Sequence, residues 1–351
     1  MKIAAFLPNW IGDAVMVTPA LRALREKFAE AEILAVCRPY LKELLEGLDL
    51  FDRQIDFNPH SNRRDQRSYR VARRLKYEQI DKAVLFTNSF RSAAIARYAG
   101  AKQRLGFARN FRKFLLTDTL TPKPRDLPHP VIDEYLRITG HLGCRTDSRK
   151  MELAVSQDDE IAFSDFWNDS LSNLVSWGYV CLSPGGAYGP AKHWPSFHFA
   201  QLAKRIATNL GRPVVVVSGP TERQRAERII EMARHPHVVT TAKGPVGIGL
   251  TKAAIKNSEL LVTTDSGPRH FAPPFGVPVI TLFGPTHIEW SETFYEKAVH
   301  LQLDVDCGPC QKRICPLEHH RCMKELTVDQ VFDAASAILS QAAEDSSKEV
   351  G

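Results

Sequence analysis

Short apolar runs alternate with amphipathic segments along the whole chain. In the first half the apolar runs cover residues 3–7, 33–37 and 83–86. In the second half they cover residues 179–182, 214–217, 260–263 and 279–282. Short β-branched runs separated by helical patterns predict parallel strands that are joined by right-handed helical crossovers.

The helical patterns complete this alternation. They cover residues 18–28, 41–48, 89–98 and 131–142, and then residues 197–210, 221–233, 249–257 and 328–342. The chain is therefore predicted to be an α/β protein with two doubly wound domains, at residues 1–150 and 151–327, followed by a C-terminal helix and tail at 328–351. Ligands of such sheets bind outside the carboxyl ends of the strands, so the chemistry is expected in a cleft between the two domains.

Composition narrows the class of protein. The 351 residues are 44% hydrophobic and 25% charged, a balance that is typical of a globular protein with sizeable cores. No apolar stretch approaches the length of a transmembrane helix, and the first residues do not resemble a signal peptide. Seven cysteines without a secretory signal favour a reducing compartment.

The charge is distributed unevenly. Residues 1–146 hold 26 Lys and Arg against 16 Asp and Glu, whereas the remaining residues hold 20 against 24. The front half is thus net +10 and the rest net −4. A basic half is expected to meet an acidic partner such as a phosphorylated lipid headgroup or a membrane surface, or else to be a solvated face.

Three motifs follow predicted strands, and the first is Asn9-Trp10-Ile11-Gly12-Asp13. Asp13 is expected at or near the N-cap of the next helix, where it could cap the helix or take a proton from a substrate hydroxyl. The glycine fingerprint of a dinucleotide-binding loop and the phosphate loop of the Walker type are both absent after this strand.

The second motif, residues 183–195, contains Gly185, Gly186 and Lys192. A glycine-rich turn with exposed N–H groups and a mobile lysine charge suits a phosphate, although an ordinary loop would also explain it. The third motif contains Asp265, Ser266, Gly267 and His270. Asp265 or Ser266 is expected to cap a helix whose free N–H groups bind a diphosphate, and Asp265 could instead bind sugar hydroxyls.

A cysteine-rich segment lies near the end of the chain. Four of the seven cysteines fall within 16 residues, at Cys307, Cys310, Cys315 and Cys322. Such a cluster favours a structural zinc or iron–sulfur centre, while reduced thiols or disulfides remain alternatives.

An arginine-rich segment runs from residue 63 to residue 76. Its periodicity places Arg63, Arg67, Arg70 and Arg74 on one helical face if the helix begins that early. A membrane or phosphate contact and a solvated face both fit this pattern. Nucleic acid is less favoured, because no aromatic residues are interleaved for base stacking.

The ordered set of motifs resembles glycosyltransferase family 9, the ADP-heptose:lipopolysaccharide heptosyltransferases, and within it the heptosyltransferase II branch. The resemblance is carried by the three motifs above and by Asn88-Ser89-Phe90-Arg91-Ser92, Arg104-Leu105-Gly106 and Phe283-Gly284-Pro285-Thr286. It implies a GT-B fold and transfer of heptose from ADP-heptose to the lipopolysaccharide inner core, with inversion at the anomeric carbon. The acceptor that the resemblance implies is of the heptosyl-Kdo–lipid A type.

The resemblance also implies roles for individual residues. Asp13 falls on the catalytic base and Lys192 on the phosphate-binding lysine. The donor contacts fall on Gly185, Gly186, Glu222, Asp265, Ser266, Gly267 and His270, with Glu222 on the ribose. The acceptor contacts fall on Gly12, Asn88, Ser89 and Arg91. The chain departs from the family at Arg269 and at Pro273-Pro274, which puts the exact sugar in doubt.

No cofactor is expected for the transfer itself, and the enzyme is expected at the cytosolic face of the inner membrane. Two alternatives stay open at this point. One is a GT-B enzyme with another nucleotide-sugar, and the other is a non-catalytic nucleotide-sugar-binding module.

Overall fold

The computed structural model describes residues 1–124, 126–171, 178–244 and 247–349, with side chains up to residue 342. The chain forms two compact units. The first comprises Met1–Ala154 together with the short segment Glu289–Thr293, and the second comprises Val155–Ile288 and Phe294–Gly351.

The first unit is a parallel sheet flanked by helices. Its strands are β1 (Lys2–Phe6), β2 (Glu32–Cys37), β3 (Arg53–Asp56), β4 (Lys82–Leu85), β5 (Gln103–Phe107) and β6 (Asp118–Leu120). Its helices are α1 (Ile11–Met16), α2 (Thr18–Lys27), α3 (Leu41–Leu45), α4 (Ser68–Glu78), α5 (Phe90–Tyr98) and α6 (Val131–Gly140). The strand order β3-β2-β1-β4-β5-β6 is that of a doubly wound sheet.

The second unit repeats this plan. Its strands are β7 (Val180–Ser183), β8 (Val214–Val216), β9 (Val238–Thr240), β10 (Leu260–Thr264), β11 (Val279–Phe283) and β12 (Ala298–Gln302). Its helices are α7 (Gln157–Leu171), α8 (Ser196–Asn209), α9 (Arg223–Ala233), α10 (Ile248–Lys256), α11 (Arg321–Lys324) and α12 (Val328–Glu349). The strand order is β12-β11-β10-β7-β8-β9, so the chain again reverses direction beside its first strand.

The central strands are apolar on both faces because helices cover both sides of each sheet. All five residues of β10 and of β11 are buried, as are all four residues of β7. Each unit has its own core, and Trp194 is a fully buried member of the second one. The Trp194 indole N–H donates to the carbonyl of Leu326 at 2.8 Å, which satisfies its polar atom inside that core.

The prediction of two doubly wound α/β domains is confirmed, but two local predictions are wrong. The helix in the arginine-rich segment begins only at Ser68, so Arg63 and Arg67 lie outside it and share no helical face with Arg70 and Arg74. The irregular helix that Asp265 or Ser266 was expected to cap is replaced by two short 3-10 turns (Gly267–Phe271 and Pro273–Phe275), and the Ser266 side chain makes no capping hydrogen bond, because prolines limit the backbone N–H groups available there. Among the residues that the structure describes, no helix is long and apolar enough to cross a bilayer.

Candidate active site

The strand order places the predicted motifs side by side at the two points where the chain reverses. In the first sheet β1 pairs with β4, and Phe6 at the end of β1 lies opposite Leu85 at the end of β4. The segment with Asp13 follows β1, and the segment with Asn88 follows β4. The carboxyl ends at such a reversal point leave a crevice where doubly wound proteins bind their ligands.

Asp13 is the third residue of α1, not its N-cap. The cap position belongs to Trp10, whose side chain makes no capping hydrogen bond. One Asp13 carboxylate oxygen instead accepts a hydrogen bond from the Tyr135 hydroxyl at 3.0 Å. Tyr135 is buried on α6, and its burial together with the Asp13 charge raises the pKa of its phenol well above the usual value. Tyr135 therefore stays protonated and holds the Asp13 carboxylate as a donor.

Two of the predicted acceptor residues after β4 make hydrogen bonds that stabilise the loop in which they lie. The Ser89 hydroxyl caps α5 by accepting from the backbone N–H of Arg91 at 3.1 Å and of Ser92 at 3.4 Å. The Asn88 side chain accepts from the buried Arg112 guanidinium at 3.3 Å. Arg91 is exposed, and Gly12, in α1, is buried. Their roles toward an acceptor stay predictions.

A buried ion pair lies at the reversal point of the second sheet, where β7 pairs with β10. The Lys192 ammonium donates to the Asp265 carboxylate at 2.5 Å and to the Asp265 carbonyl at 3.1 Å. Both side chains are about nine-tenths buried. Lys192 is therefore a fixed charge on a 3-10 turn (Pro190–Lys192) and not the mobile charge expected from the sequence.

Two further side chains complete the surroundings of Asp265. The Thr286 hydroxyl donates to its carboxylate at 2.7 Å, and the buried Arg269 guanidinium lies 3.7 Å from it. Burial alone would raise the pKa of Asp265, but the charges of Lys192 and Arg269 and the hydrogen bonds from Lys192 and Thr286 outweigh it and lower the pKa to about 2. Two cations thus surround one carboxylate, and the local charge is close to +1.

His270 lies beside this cluster and is also buried. Burial, reinforced by the nearby Arg269 charge, lowers the pKa of its imidazole well below the usual value. The ring is therefore neutral at physiological pH and adds no charge to the cluster.

The glycine-rich segment is tied to Glu222, which precedes α9. The Glu222 carboxylate accepts from the backbone N–H of Gly186 at 2.6 Å and of Gly219 at 3.2 Å. A side chain at Gly185 would put its Cβ 2.1 Å from this carboxylate, so a larger residue there would displace Glu222 from its two N–H donors. The Gly186 N–H is consequently occupied and not exposed to a phosphate as the sequence suggested.

Comparison with known proteins identifies the family. A model of glycosyltransferase family 9 (heptosyltransferase) matches residues 68–321, more than half of the chain. Lipooligosaccharide heptosyltransferase 2 of Campylobacter jejuni is 26% identical over 97% of this chain and 98% of its own length. This chain belongs to glycosyltransferase family 9.

Solved structures agree with the fold. The Escherichia coli ADP-heptose lps heptosyltransferase II is 22% identical, with a TM-score of 0.79 over 98% of this chain and 100% of that chain. A family 9 glycosyl transferase of Veillonella parvula is also 22% identical, with a TM-score of 0.81 over 97% of each chain. The chain therefore has the GT-B fold of this glycosyltransferase family.

Several residues of this family 9 enzyme were missed by the sequence reasoning. Arg269 was noted only as a departure from the family, yet it is 2% exposed and faces Asp265. Thr286 was noticed only within a motif, and Tyr135 lies in a helix with no chemical signal of its own. A hydroxyl or guanidinium far along the sequence becomes a partner only when the fold brings it to the carboxylate.

The cysteine-rich segment of the enzyme surrounds a small cavity of about 20 Å³, which Cys307, Cys310, Cys315 and Cys322 line. All seven cysteines are free thiols, so the disulfide alternative is not what the structure holds. Within the described residues no group of three or more His, Cys, Asp or Glu side chains is arranged to hold a metal ion. The structural metal stays a prediction.

The cysteine-rich segment also forms hydrogen bonds with the loop that carries Lys192. The backbone N–H of Ala191 donates to the carbonyl of Arg313 at 3.0 Å, and the His320 ring hydrogen-bonds the Ala191 carbonyl at 2.7 Å. The Tyr188 hydroxyl donates to the carbonyl of Gln311 at 2.7 Å. The cysteine-rich segment is therefore packed directly against one side of the Lys192 turn.

Proposed function

We propose that this enzyme transfers a heptose from ADP-heptose to the inner core of lipopolysaccharide, on an acceptor of the heptosyl-Kdo–lipid A type. The observation that carries the proposal is the buried cluster of Lys192, Asp265 and Arg269 at the reversal point of the second sheet. Its charge of about +1 suits a diphosphate, and the names of the relatives supply the nucleotide-sugar and the acceptor.

The second unit is proposed to bind the donor. Lys192 and the turn that begins at Ser266 and Gly267 would stabilise the diphosphate as the bond to the sugar breaks, when its negative charge grows. Asp265 and His270 would contact the sugar hydroxyls. Each Glu222 oxygen accepts one backbone N–H, which leaves a lone pair on each for a ribose hydroxyl.

The first unit is proposed to supply the acceptor site and the base. Asp13, oriented by Tyr135, would take the proton from the acceptor hydroxyl as its oxygen attacks the anomeric carbon. The new C–O bond forms on the face opposite the departing ADP, so the configuration is inverted. Gly12, Asn88, Ser89 and Arg91 would border the acceptor.

A transfer assay with purified components tests this proposal. ADP-heptose, UDP-sugars and GDP-sugars are each offered with a truncated heptosyl-Kdo–lipid A acceptor, and the product is followed by mass spectrometry. The expected result is a heptosylated acceptor with ADP-heptose alone. Transfer from another nucleotide-sugar in preference to ADP-heptose would overturn the donor, and donor binding without any transfer would overturn catalysis.

The cysteine-rich segment is proposed to hold a structural metal and to take no part in the transfer. The support is that four cysteines line one cavity, since thiolate sulfur is the preferred ligand of zinc and of iron–sulfur clusters. The described side chains are not arranged as ligands, so the metal would have to draw the thiols together. Elemental analysis of protein purified without affinity metals tests this. About one equivalent of zinc, or several of iron, is expected, and metal-free protein of full stability would contradict it.

A further inference from the structure

Three phenylalanines protrude from the first unit close to the predicted acceptor loop. Phe111 is 95% exposed, Phe114 69% and Phe90 47%, and the Phe90 and Phe114 rings lie 6.0 Å apart. We call these three side chains the aromatic patch. Large apolar side chains grouped on a surface signify an interaction site, because exposure of such a group to water is unfavourable.

The patch is held rigidly from below by Arg112, which is fully buried. Its guanidinium donates to the carbonyls of Phe107 at 3.0 Å, Thr87 at 2.5 Å and Ser89 at 3.3 Å. These bonds join the loop that carries Phe111 to the loop that carries Phe90. A side chain at Gly106 would place its Cβ 2.9 Å from the guanidinium, so glycine makes the room for it.

This arrangement is costly for the fold. Arg112 forms no ion pair within the part of the chain that the structure describes, and burial lowers the pKa of its guanidinium to about 10. Asn110 and Phe111 both have positive φ, 54° and 55°, a conformation that bulky residues rarely adopt. A buried cation that is stabilised by hydrogen bonds alone and a left-handed phenylalanine are both costly, and such costs are found where the resulting surface has a function.

The surroundings of the patch are strongly basic. Residues 82–117 contain eight Lys and Arg and no Asp or Glu. Arg91 and Lys113 are exposed, and each is next in sequence to a phenylalanine of the patch. Neither cation forms an ion pair among the described residues. Apolar rings flanked by exposed cations match the chemistry of a bilayer surface, where acyl chains lie beneath phosphates.

We propose that the aromatic patch docks this enzyme on an anionic phospholipid bilayer. The rings of Phe111, Phe114 and Phe90 enter the interface, and Arg91 and Lys113 meet the lipid phosphates. The choice of a bilayer over a nucleic acid rests on the proposed function, because that function's acceptor is a lipid and its proposed acceptor residues Asn88 and Ser89 lie in the same loop.

Vesicle sedimentation without any acceptor tests the docking separately from catalysis. Vesicles of phosphatidylglycerol with phosphatidylcholine are compared with phosphatidylcholine alone. Wild-type protein is expected to bind the anionic vesicles. Phe111→Ser/Phe114→Ser and Arg91→Glu/Lys113→Glu should each weaken that binding about tenfold or more, since both an apolar and an electrostatic contribution are needed. The matched control is Tyr77→Ser, on α4, which removes a side chain that is 79% exposed outside the patch.

Other outcomes decide against the proposal. Vesicle binding that survives both double variants would overturn it, as would an equal loss in Tyr77→Ser. Single-stranded RNA that binds more tightly than the vesicles, in a manner that Phe111→Ser/Phe114→Ser abolishes, would assign the patch to nucleic acid. A dimer in sedimentation velocity that the same variant dissociates would assign it to self-association. Transfer to a water-soluble acceptor analogue should be unchanged in Phe111→Ser/Phe114→Ser, so a failed docking and a failed transferase are told apart.

Discussion

Asp13, the proposed base, receives a hydrogen bond from Tyr135, which lies 122 positions away in the sequence. The carboxylate lies in the first turn of α1, where acidic residues are common for electrostatic reasons alone. The hydroxyl that reaches it comes from α6 and is kept protonated by burial. A carboxylate that is oriented by one fixed donor and still partly exposed suits a general base better than it suits a helix cap.

Asp13→Asn separates the base from any structural role. The amide oxygen of asparagine can still accept the Tyr135 hydrogen bond, but asparagine cannot take a proton at neutral pH. Melting temperature and ADP-heptose affinity are expected to stay nearly constant, while kcat falls by about 10²–10⁴-fold. Asp329→Asn, in the first turn of α12, is the matched control and should be silent. A folded Asp13→Asn enzyme with near-normal kcat, with chemistry shown to be rate-limiting, would refute the assignment.

Tyr135→Phe tests the positioning of that base. Loss of the hydroxyl removes a hydrogen bond that stabilises the charged carboxylate, so the base should lose its proton only at a higher pH. The acid limb of the kcat/KM profile is expected to move upward by about one pH unit. The ring remains to pack edge-on against Phe86, which protects the fold. A profile that superimposes on that of the wild type would show Tyr135 to be structural only.

At the scale of elements, the ends of β7, β10 and β11 converge on Asp265. The turn after β7 brings Lys192, β10 leads into Asp265, and the segment after β11 brings Thr286. Each of these loops alone has a pattern common in α/β proteins. Together they bury a carboxylate under two cations, which requires that the three loops keep their relative positions.

The pH dependence of the free energy of unfolding of Thr286→Val tests whether the Thr286 hydroxyl stabilises the Asp265 carboxylate. The pKa of Asp265 is lowered to about 2 in the folded protein, so the contribution of the carboxylate to stability is present above its unfolded value near 4 and is lost as the pH falls toward 2. Thr286→Val should cost about 1.5–3 kcal/mol at neutral pH, and the cost should shrink below pH ~4. Unfolding in urea as a function of pH measures it.

Thr281→Val is the matched control for that experiment, because the Thr281 hydroxyl is buried and has no hydrogen-bond partner among the residues that the structure describes. Its loss should be neutral or slightly stabilising at every pH. A pH-independent cost of Thr286→Val would show that its hydroxyl does not act on the Asp265 charge.

Gly189→Ala tests whether the cysteine-rich segment fixes the Lys192 turn. Gly189 has φ of +154°, and an added Cβ would lie 2.5 Å from the Arg313 carbonyl oxygen. Gly100 has φ of +75° with nothing within 4 Å, so Gly100→Ala isolates the backbone strain of about 1 kcal/mol. Gly189→Ala is expected to lower the melting temperature further and to weaken ADP binding in calorimetry. Equal effects on ADP binding in the two variants would leave the turn independent of the segment.

For the whole molecule, we expect the basic surplus of residues 1–146 to favour encounter with the proposed anionic lipid acceptor. Arg70, Arg73 and Arg74 are exposed on α4, whereas Val71 and Leu75 of the same helix are buried. Reversing the three arginines to Glu should raise the apparent KM for the lipid acceptor and flatten its salt dependence, because long-range attraction is screened by salt. ADP affinity should not change. An equal loss with an uncharged, water-soluble acceptor analogue would contradict an electrostatic role.

The sequence by itself determined the class of fold and the location of the chemistry along the chain. Apolar runs such as residues 260–263 and 279–282 indicate strands that are buried on both faces of a sheet. Such a run can be recognised in a short stretch of sequence, without knowing which strands pair. These runs predicted seven of the described strands, each to within one residue at either end. The four edge strands, β3, β6, β9 and β12, were missed together with β5, because an edge strand is short or half-exposed and carries no continuous apolar run.

Only the tertiary structure decided which groups meet. Strand order is set by pairing between distant segments, and it placed the loop after β7 beside the loop after β10 so that Lys192 reaches Asp265. The burial of Arg269 and the contact from Tyr135 to Asp13 arise in the same way. Periodicity describes the environment of one residue, whereas an ion pair or a hydrogen bond depends on where a second residue has been folded. The sequence therefore identified the chemical groups of the site, but it did not show which groups form ion pairs or hydrogen bonds with one another.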